Sequence, residues 1–378
     1  MALYAYVPAA LDNSLTILDV TDPTAPAFKS NIAGSGAPNF LGVVIDIYPL
    51  GDYCYCTCVG TAVLGGDACL TIVDISNPAA PAFKSSLPFG TNIYSRFLFV
   101  VGSYAYVTDQ YSGLYIIDIS NPLLPSIVGS ISLAAMGLTV AGSITKPYIY
   151  GAYAYMTYVD ALNAGVVVID ISNPAAPTLK GRLDEVPSVH FAYNFPFLSG
   201  NYLYAPAGLP TSLNALNVVD ISNPAAPIWK SWITGAGAPN FLSGCYLVYK
   251  EGNYCYCGTL NGLTIIDVSN PLVPAFVSNL SLLNTNVLTI FKSGNNCYCA
   301  SPLDNKMYIV DVSNVALPVL KGSLSGAGNP NYLAYPTFIT LSGGYPGPTP
   351  SPYQSPPCII DFKGILDCIG WKWRAGGI

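Results

Sequence analysis

Few groups in this 378-residue chain could do chemistry, and most of them recur. Seven aspartates, Asp19, Asp74, Asp118, Asp170, Asp220, Asp267 and Asp311, each end an apolar run and precede a turn-forming corner. A proline follows each at +7: Pro26, Pro81, Pro125, Pro177, Pro227, Pro274 and Pro318. A carboxylate so placed can accept backbone N–H bonds one to three residues on, and Asn-Pro turns the chain out of a strand. A divalent ion would need several such oxygens converging on one point. The aspartates are therefore expected to cap turns, and neither a metal nor a cofactor is expected. Asn39, Asn92, Asn240, Asn286 and Asn331 stand where inner strands should begin, with Gly137 and Ser188 at the matching places. Paired amide donors and acceptors could bind a glycan or small ligand at a pore mouth, or could simply shape a turn. His190 is the only histidine, and a lone histidine makes no zinc site. Asp46 and Arg96 are scattered charges, no serine or cysteine lies in a nucleophile elbow, and no pair of acids is nominated. From these residues no enzyme is expected.

The elements that must carry these groups follow from repetition. The units LTILDVTDPTAP, LTIVDISNPAAP, LYIIDISNPLLP, VVVIDISNPAAP, LNVVDISNPAAP, LTIIDVSNPLVP and MYIVDVSNVALP lie 55, 44, 52, 50, 47 and 44 residues apart. Before each lies a strand in which tyrosine alternates with small residues, as in Tyr53-Cys-Tyr-Cys and Tyr104-Ala-Tyr-Val. Such alternation puts a different neighbour on each face. A further strand follows each corner, and an apolar stretch precedes the next tyrosine strand. Four-stranded units of this length, seven times over, predict an all-β, seven-bladed β-propeller. The first unit lacks its innermost strand, and Asn331–Leu341 supplies one, so a C-terminal strand is expected to complete the N-terminal blade. Lys29, Lys84, Lys180, Lys230 and Lys321 fall on outermost strands, where lysine discourages edge-to-edge pairing.

The L-x-I-[VI]-D-[IV]-S-N-P units resemble LVIVD repeats, a propeller-forming repeat found mainly in bacterial and archaeal proteins, many of them on the cell surface. The resemblance covers roughly residues 1–341 and implies the propeller fold. It implies no catalytic residues, since the family has no shared catalytic motif to carry over.

Composition limits the remaining readings. The chain is 52% hydrophobic and 9% charged, which excludes a disordered chain. No apolar run approaches the ~20 residues of a spanning helix. A net charge of −6 with 14 Lys+Arg argues against nucleic acid. Eleven cysteines include Cys58 opposite Cys69, Cys245 opposite Cys257, and Cys358 with Cys368, three candidate disulfides. The remaining cysteines are expected to be small buried hydrophobes. Residues 342–357 read as a Pro-rich linker. Residues 358–378 read as a docking or capping tail, with Ile359, Ile360, Phe362, Trp371 and Trp373 as interface anchors. So little charge suits a surface packed against other molecules. The expected role is a non-enzymatic structural or interaction propeller of a cell surface, extracellular filament or virion. It would self-associate, or bind another surface protein, through low-charge faces and the tail. The alternative is a glycan- or small-ligand-binding propeller using the Asn-lined mouth. The expected location is extracellular, on a cell or virion surface, with no signal peptide visible.

Overall fold

The computed structural model describes residues 2–59, 68–90, 95–109, 111–139, 142–161, 163–185, 195–208, 214–282, 287, 289–337 and 339–342. Within them the chain forms seven antiparallel sheets of the expected kind, one per repeat. Blade 2 shows the plan: inner strand Val44–Leu50, then Tyr53–Cys58, Ala68–Asp74 and outer strand Ala82–Gly90. The inner strands of blades 3 to 7 are Ser95–Val101, Tyr148–Tyr150, Phe197–Ser199, Leu247–Glu251 and Thr289–Ser293. In blade 4 a short piece, Ser143–Ile144, pairs with the same neighbour. Blade 1 takes its inner strand from the far end of the chain, Thr340–Ser342, with Tyr4 opposite Ser342 and Tyr6 opposite Thr340. The ring is thus closed as expected, and every blade has four layers of strand.

Three repeated devices hold the blades. The first is the alternating tyrosine strand. Tyr6 packs in one core cluster with Cys54 and Cys56 of blade 2, and Tyr55 with Ala105 and Val107 of blade 3. Tyr106 lies with Ala154 and Met156, Tyr155 with Leu203 and Ala205, and Tyr204 with Cys255 and Cys257. Tyr256 lies with Cys297 and Cys299, and Tyr298 returns to Ala5 and Val7 of blade 1. A large ring on one blade thus meets small side chains on the next. Burying such a ring is worth roughly 2–3 kcal/mol.

The second device is the aspartate corner. Asp74 Oδ1 accepts the Ser76 amide at 3.0 Å and the Ser76 hydroxyl at 2.6 Å. Asp19, Asp118, Asp170, Asp220, Asp267 and Asp311 each accept the amide two residues on. The Ser76 hydroxyl and amide hold the Asp74 carboxyl below the usual carboxylate range. The lysines act here as well as at the sheet edge: Lys84, Lys180, Lys230 and Lys321 reach the aspartates of their own blades at 2.8–3.9 Å.

The third device joins outer strands to the next corner. Eleven residues after each aspartate stands Ser or Gly, and four residues after it lies a corner carbonyl. Ser30, Ser85, Ser231 and Ser278 donate to the carbonyls of Pro78, Pro122, Pro271 and Val315 of the next blade at 2.5–2.6 Å. At the other three junctions the residue is Gly129, Gly181 or Gly322. A Cβ there would stand 2.1–2.4 Å from the corresponding carbonyl oxygen, so only glycine fits.

Candidate functional site

The repeat also builds the channel. Two residues before the last residue of each inner strand, Tyr48, Phe99, Tyr148, Phe197, Tyr249 and Phe291 occupy equivalent registers, opposite the buried tyrosines of blades 2 to 7. Blade 1 places Thr340 there. Successive rings lie 5.7, 5.4, 5.6, 5.1 and 5.6 Å apart, within the range of favourable tilted aromatic contacts. Tyrosine and phenylalanine alternate around this girdle. The signal was in the sequence, as an aromatic residue three positions before each turn glycine: Gly51, Gly102, Gly151, Gly200, Gly252 and Gly294. All six glycines adopt positive φ in the tight turn to the next strand.

One layer above the girdle, toward the start of the inner strands, the symmetry breaks. That layer carries Asp46 in blade 2, Phe97 in blade 3, Leu247 in blade 6 and Thr289 in blade 7. Lys146 of blade 4 crosses to Asp46, with Nζ 2.5 Å from Oδ2. Both side chains are 0% exposed. The Asp46 carboxylate also accepts the Ile47 amide and, from blade 3, the Leu98 amide, each at 2.8 Å. Three successive blades therefore meet at one carboxylate. Burial raises the Asp46 pKa to about 6, against the opposing pull of the Lys146 ammonium and the two amides. Phe97 and Phe195 meet edge to face at 4.8 Å beside this level, and both are buried.

The backbone is adapted to the pair. In blade 2 the pairing slips between Val44 and Asp46, and in blade 3 between Ser95 and Phe97, which leaves Ile45 and Arg96 as extra residues. In blade 4 Thr145 N donates to Thr157 O while Tyr148 pairs with Tyr155, so Lys146 and Pro147 together face Met156. Bulges re-aim side chains and recur beside functional sites. Here they occupy the same level in three neighbouring blades.

Of the residues singled out from sequence, Asp46 is in this site. Lys146 was missed; its signal was a charge in SITKPYIY, where the matching positions of blades 3, 5 and 6 carry Phe97, Phe195 and Leu247. Arg96 lies in the bulge of blade 3, its side chain outside the described residues, as are Ser188 and His190. Asn39, Asn240 and Asn331 close their own loops: each amide donates to a carbonyl six residues back, Ala33, Thr234 or Ser325, at 2.6–2.7 Å. They precede their inner strands by five to nine residues, with Phe40, Phe241 and Tyr332 beside them packed on Phe83, Phe276 and Phe28. Turn-shaping is thus their observed work. Asn92 and Asn286 lie outside the described residues.

Cys58 does face Cys69, and Cys245 reaches Cys257, and all four side chains are buried. Burial pushes the Cys58 thiol well up, and the Cys245 contact does the same to Cys257, so little thiolate is present to begin oxidation. Cys358, Cys368, Ile359, Ile360, Phe362, Trp371 and Trp373 lie outside the described residues. Among the described residues no cluster of His, Cys, Asp or Glu could hold a metal ion.

A family model described as LVIVD repeat matches seven stretches: residues 3–33, 42–88, 94–132, 141–185, 197–234, 248–281 and 289–325. No curated protein matches the sequence. Among solved structures the chain is similar to a periplasmic gluconolactonase of Pseudomonas aeruginosa, with TM-score 0.71 and 12% identity over 91% of this chain and 99% of that one. It is similar to a putative 6-phosphogluconolactonase of Bacteroides fragilis, with TM-score 0.70 and 11% identity over 90% and 98%. Apo AztD of Citrobacter koseri matches with TM-score 0.56 and 13% identity over 92% and 99%. At such identities the likeness is one of fold.

These findings correct two expectations. The first is the non-enzymatic structural or interaction propeller. The second is the absence of enzymatic activity. Both are withdrawn, because propellers matching nine-tenths of the chain include proteins named as lactone hydrolases, and the channel holds a buried ion pair that other blades do without. The sequence reading failed because it treated Asp46 alone, and a lone carboxylate nominates no chemistry.

Proposed function

The chain belongs to the LVIVD-repeat family, and on that scaffold we propose a hydrolase that opens small lactones at the upper end of its central channel. The observation that carries this reading is the wholly buried Asp46–Lys146 pair. Desolvating two ions costs several kcal/mol each, and an apolar pair of similar volume would often serve stability as well. Blades 6 and 7 fill the same level with Leu247 and Thr289, so the propeller does not require charge there.

The chemistry suits ester hydrolysis. A carboxylate with a pKa of about 6 is ionised at neutral pH yet basic enough to take a proton from water. The water oxygen forms a bond to the lactone carbonyl carbon as Asp46 takes the proton. The Lys146 ammonium stabilises the resulting oxyanion, an interaction strengthened by the dry surroundings. On collapse the ring C–O bond breaks and the ring oxygen leaves with the proton from Asp46. The product is the hydroxy acid, and the carboxylate is regenerated. Phe97 and Phe195 must part to admit substrate and then exclude bulk water. The lactonase-named propellers support the choice of ester by analogy of fold alone.

The test is hydrolysis of D-glucono-1,5-lactone and of δ-valerolactone, followed by acid release at constant pH. Asp46→Asn should lower kcat at least ~100-fold, the usual range for a lost general base, with the β-sheet circular dichroism retained. An Asp46→Asn variant as fast as wild type would overturn the reading. So would a wild-type rate no greater than spontaneous opening of both lactones.

A further inference from the structure

Two hydroxyls at the level of the ion pair are buried without a partner among the described residues: Thr108 Oγ1 of blade 3 and Thr289 Oγ1 of blade 7. Both residues are fully inaccessible. Thr289 is blade 7's residue in the layer of the ion pair, two positions before Phe291. Thr108 lies directly across the strand pair from Phe97, blade 3's residue in that layer.

The position of Thr108, two after the buried tyrosine, shows that its hydroxyl is a choice. Its counterparts in blades 2 and 4, Thr57 and Thr157, are bonded within their own blades, to the Asp46 carbonyl and to the Thr145 hydroxyl. In blades 5, 6, 7 and 1 the counterparts are Pro206, Gly258, Ala300 and Pro8, which carry no hydroxyl. A buried hydroxyl without a partner weakens a protein relative to valine of the same shape. Its retention fits a partner that the protein itself does not supply.

We propose that Thr108 and Thr289 are specificity residues that hydrogen-bond the ring hydroxyls of a polyhydroxylated lactone. This inference rests on the hydrolase reading and narrows it, from lactones in general to sugar-type lactones. A hydroxyl can both donate and accept, which suits a polyol whose own hydroxyls do the same. Phe97, beside Thr108, offers the apolar face of the sugar ring a wall. Sites built to bond a substrate hydroxyl reject analogues lacking it by orders of magnitude.

The experiment compares D-glucono-1,5-lactone with δ-valerolactone, the same ring without hydroxyls, in wild type, Thr108→Val and Thr289→Val. Wild type should favour the hydroxylated ring at least ~100-fold in kcat/KM. Each variant should lose ~10-fold on that substrate, stay within about twofold on δ-valerolactone, and melt higher than wild type. Variants that melt higher but keep the full preference would mean that the hydroxyls hold only ordered water, which overturns the inference and leaves the hydrolase standing. If neither lactone is opened, the hydrolase reading fails, and the hydroxyl contacts are then decided by gluconate. Gluconate should raise the melting temperature of wild type and not of the variants; an equal shift in all three overturns the inference.

Discussion

The rim and the channel of this propeller follow opposite rules. At the rim every blade repeats one solution, a carboxylate that accepts the amide two residues on and a serine or glycine against the next corner, and four blades add a lysine alongside the carboxylate. In the channel the girdle keeps the repeat, but the layer above it departs from it in blades 2 to 4, where three bulges surround one buried ion pair. Both regions use aspartate, with opposite consequences. The Asp74 carboxyl of the rim is lowered by its hydrogen bonds, whereas burial raises that of Asp46. A repeat refines what all blades need in common. Departure from the repeat marks what a single site requires.

The largest expected effect is in the channel. Lys146→Met leaves the Asp46 carboxylate buried and uncompensated and should cost about 3–5 kcal/mol in denaturant unfolding. Combining it with Asp46→Asn should recover most of that loss. A double variant no more stable than the single one would show that the pair itself holds the blades.

The next effect is a difference in sign with pH. The folded pKa of Asp46, about 6, lies above its ordinary value of 3.8. Its contribution is therefore complete below pH 3.8 and is lost as pH rises through 6. The advantage of wild type over Asp46→Asn in urea unfolding should shrink by roughly 2 kcal/mol between pH 4 and pH 7. Asp74 is lowered, so its contribution is present above pH 3.8 and lost as pH falls, and Asp74→Asn should show the reverse trend. Parallel trends in the two variants would abolish the contrast between rim and channel.

The smallest effects test the rim junctions. Gly181→Ala brings a Cβ to 2.4 Å from the Pro224 carbonyl oxygen and should cost about 2 kcal/mol. Ser231→Ala removes one hydrogen bond to Pro271 and should cost about 1 kcal/mol. A Gly181→Ser variant as stable as wild type would mean that serine and glycine junctions are interchangeable, and that the blades differ less than their backbones indicate.

The local rules were legible in the residues themselves. The aspartate corners, the blade number, the closing strand and the packing role of most cysteines all follow from contacts that recur at fixed offsets. The girdle was legible in principle, from its aromatic residue before each turn glycine, and was overlooked because no single repeat reveals that six such rings meet. The asparagines left two readings open, because a polar residue beside a strand start looks alike in sequence whether its amide faces a pore or closes its own loop.

By itself the sequence determined the seven-bladed all-β ring, because period-two alternation and corner chemistry act over a few residues and repeat. Only the tertiary structure decided which charges meet in the channel. Asp46 and Lys146 are 100 residues apart and meet because blade 4 is folded back within reach of blade 2. The same burial that joins them moves the pKa of Asp46. Desolvation and long-range contact belong to the closed ring, and no local pattern records them.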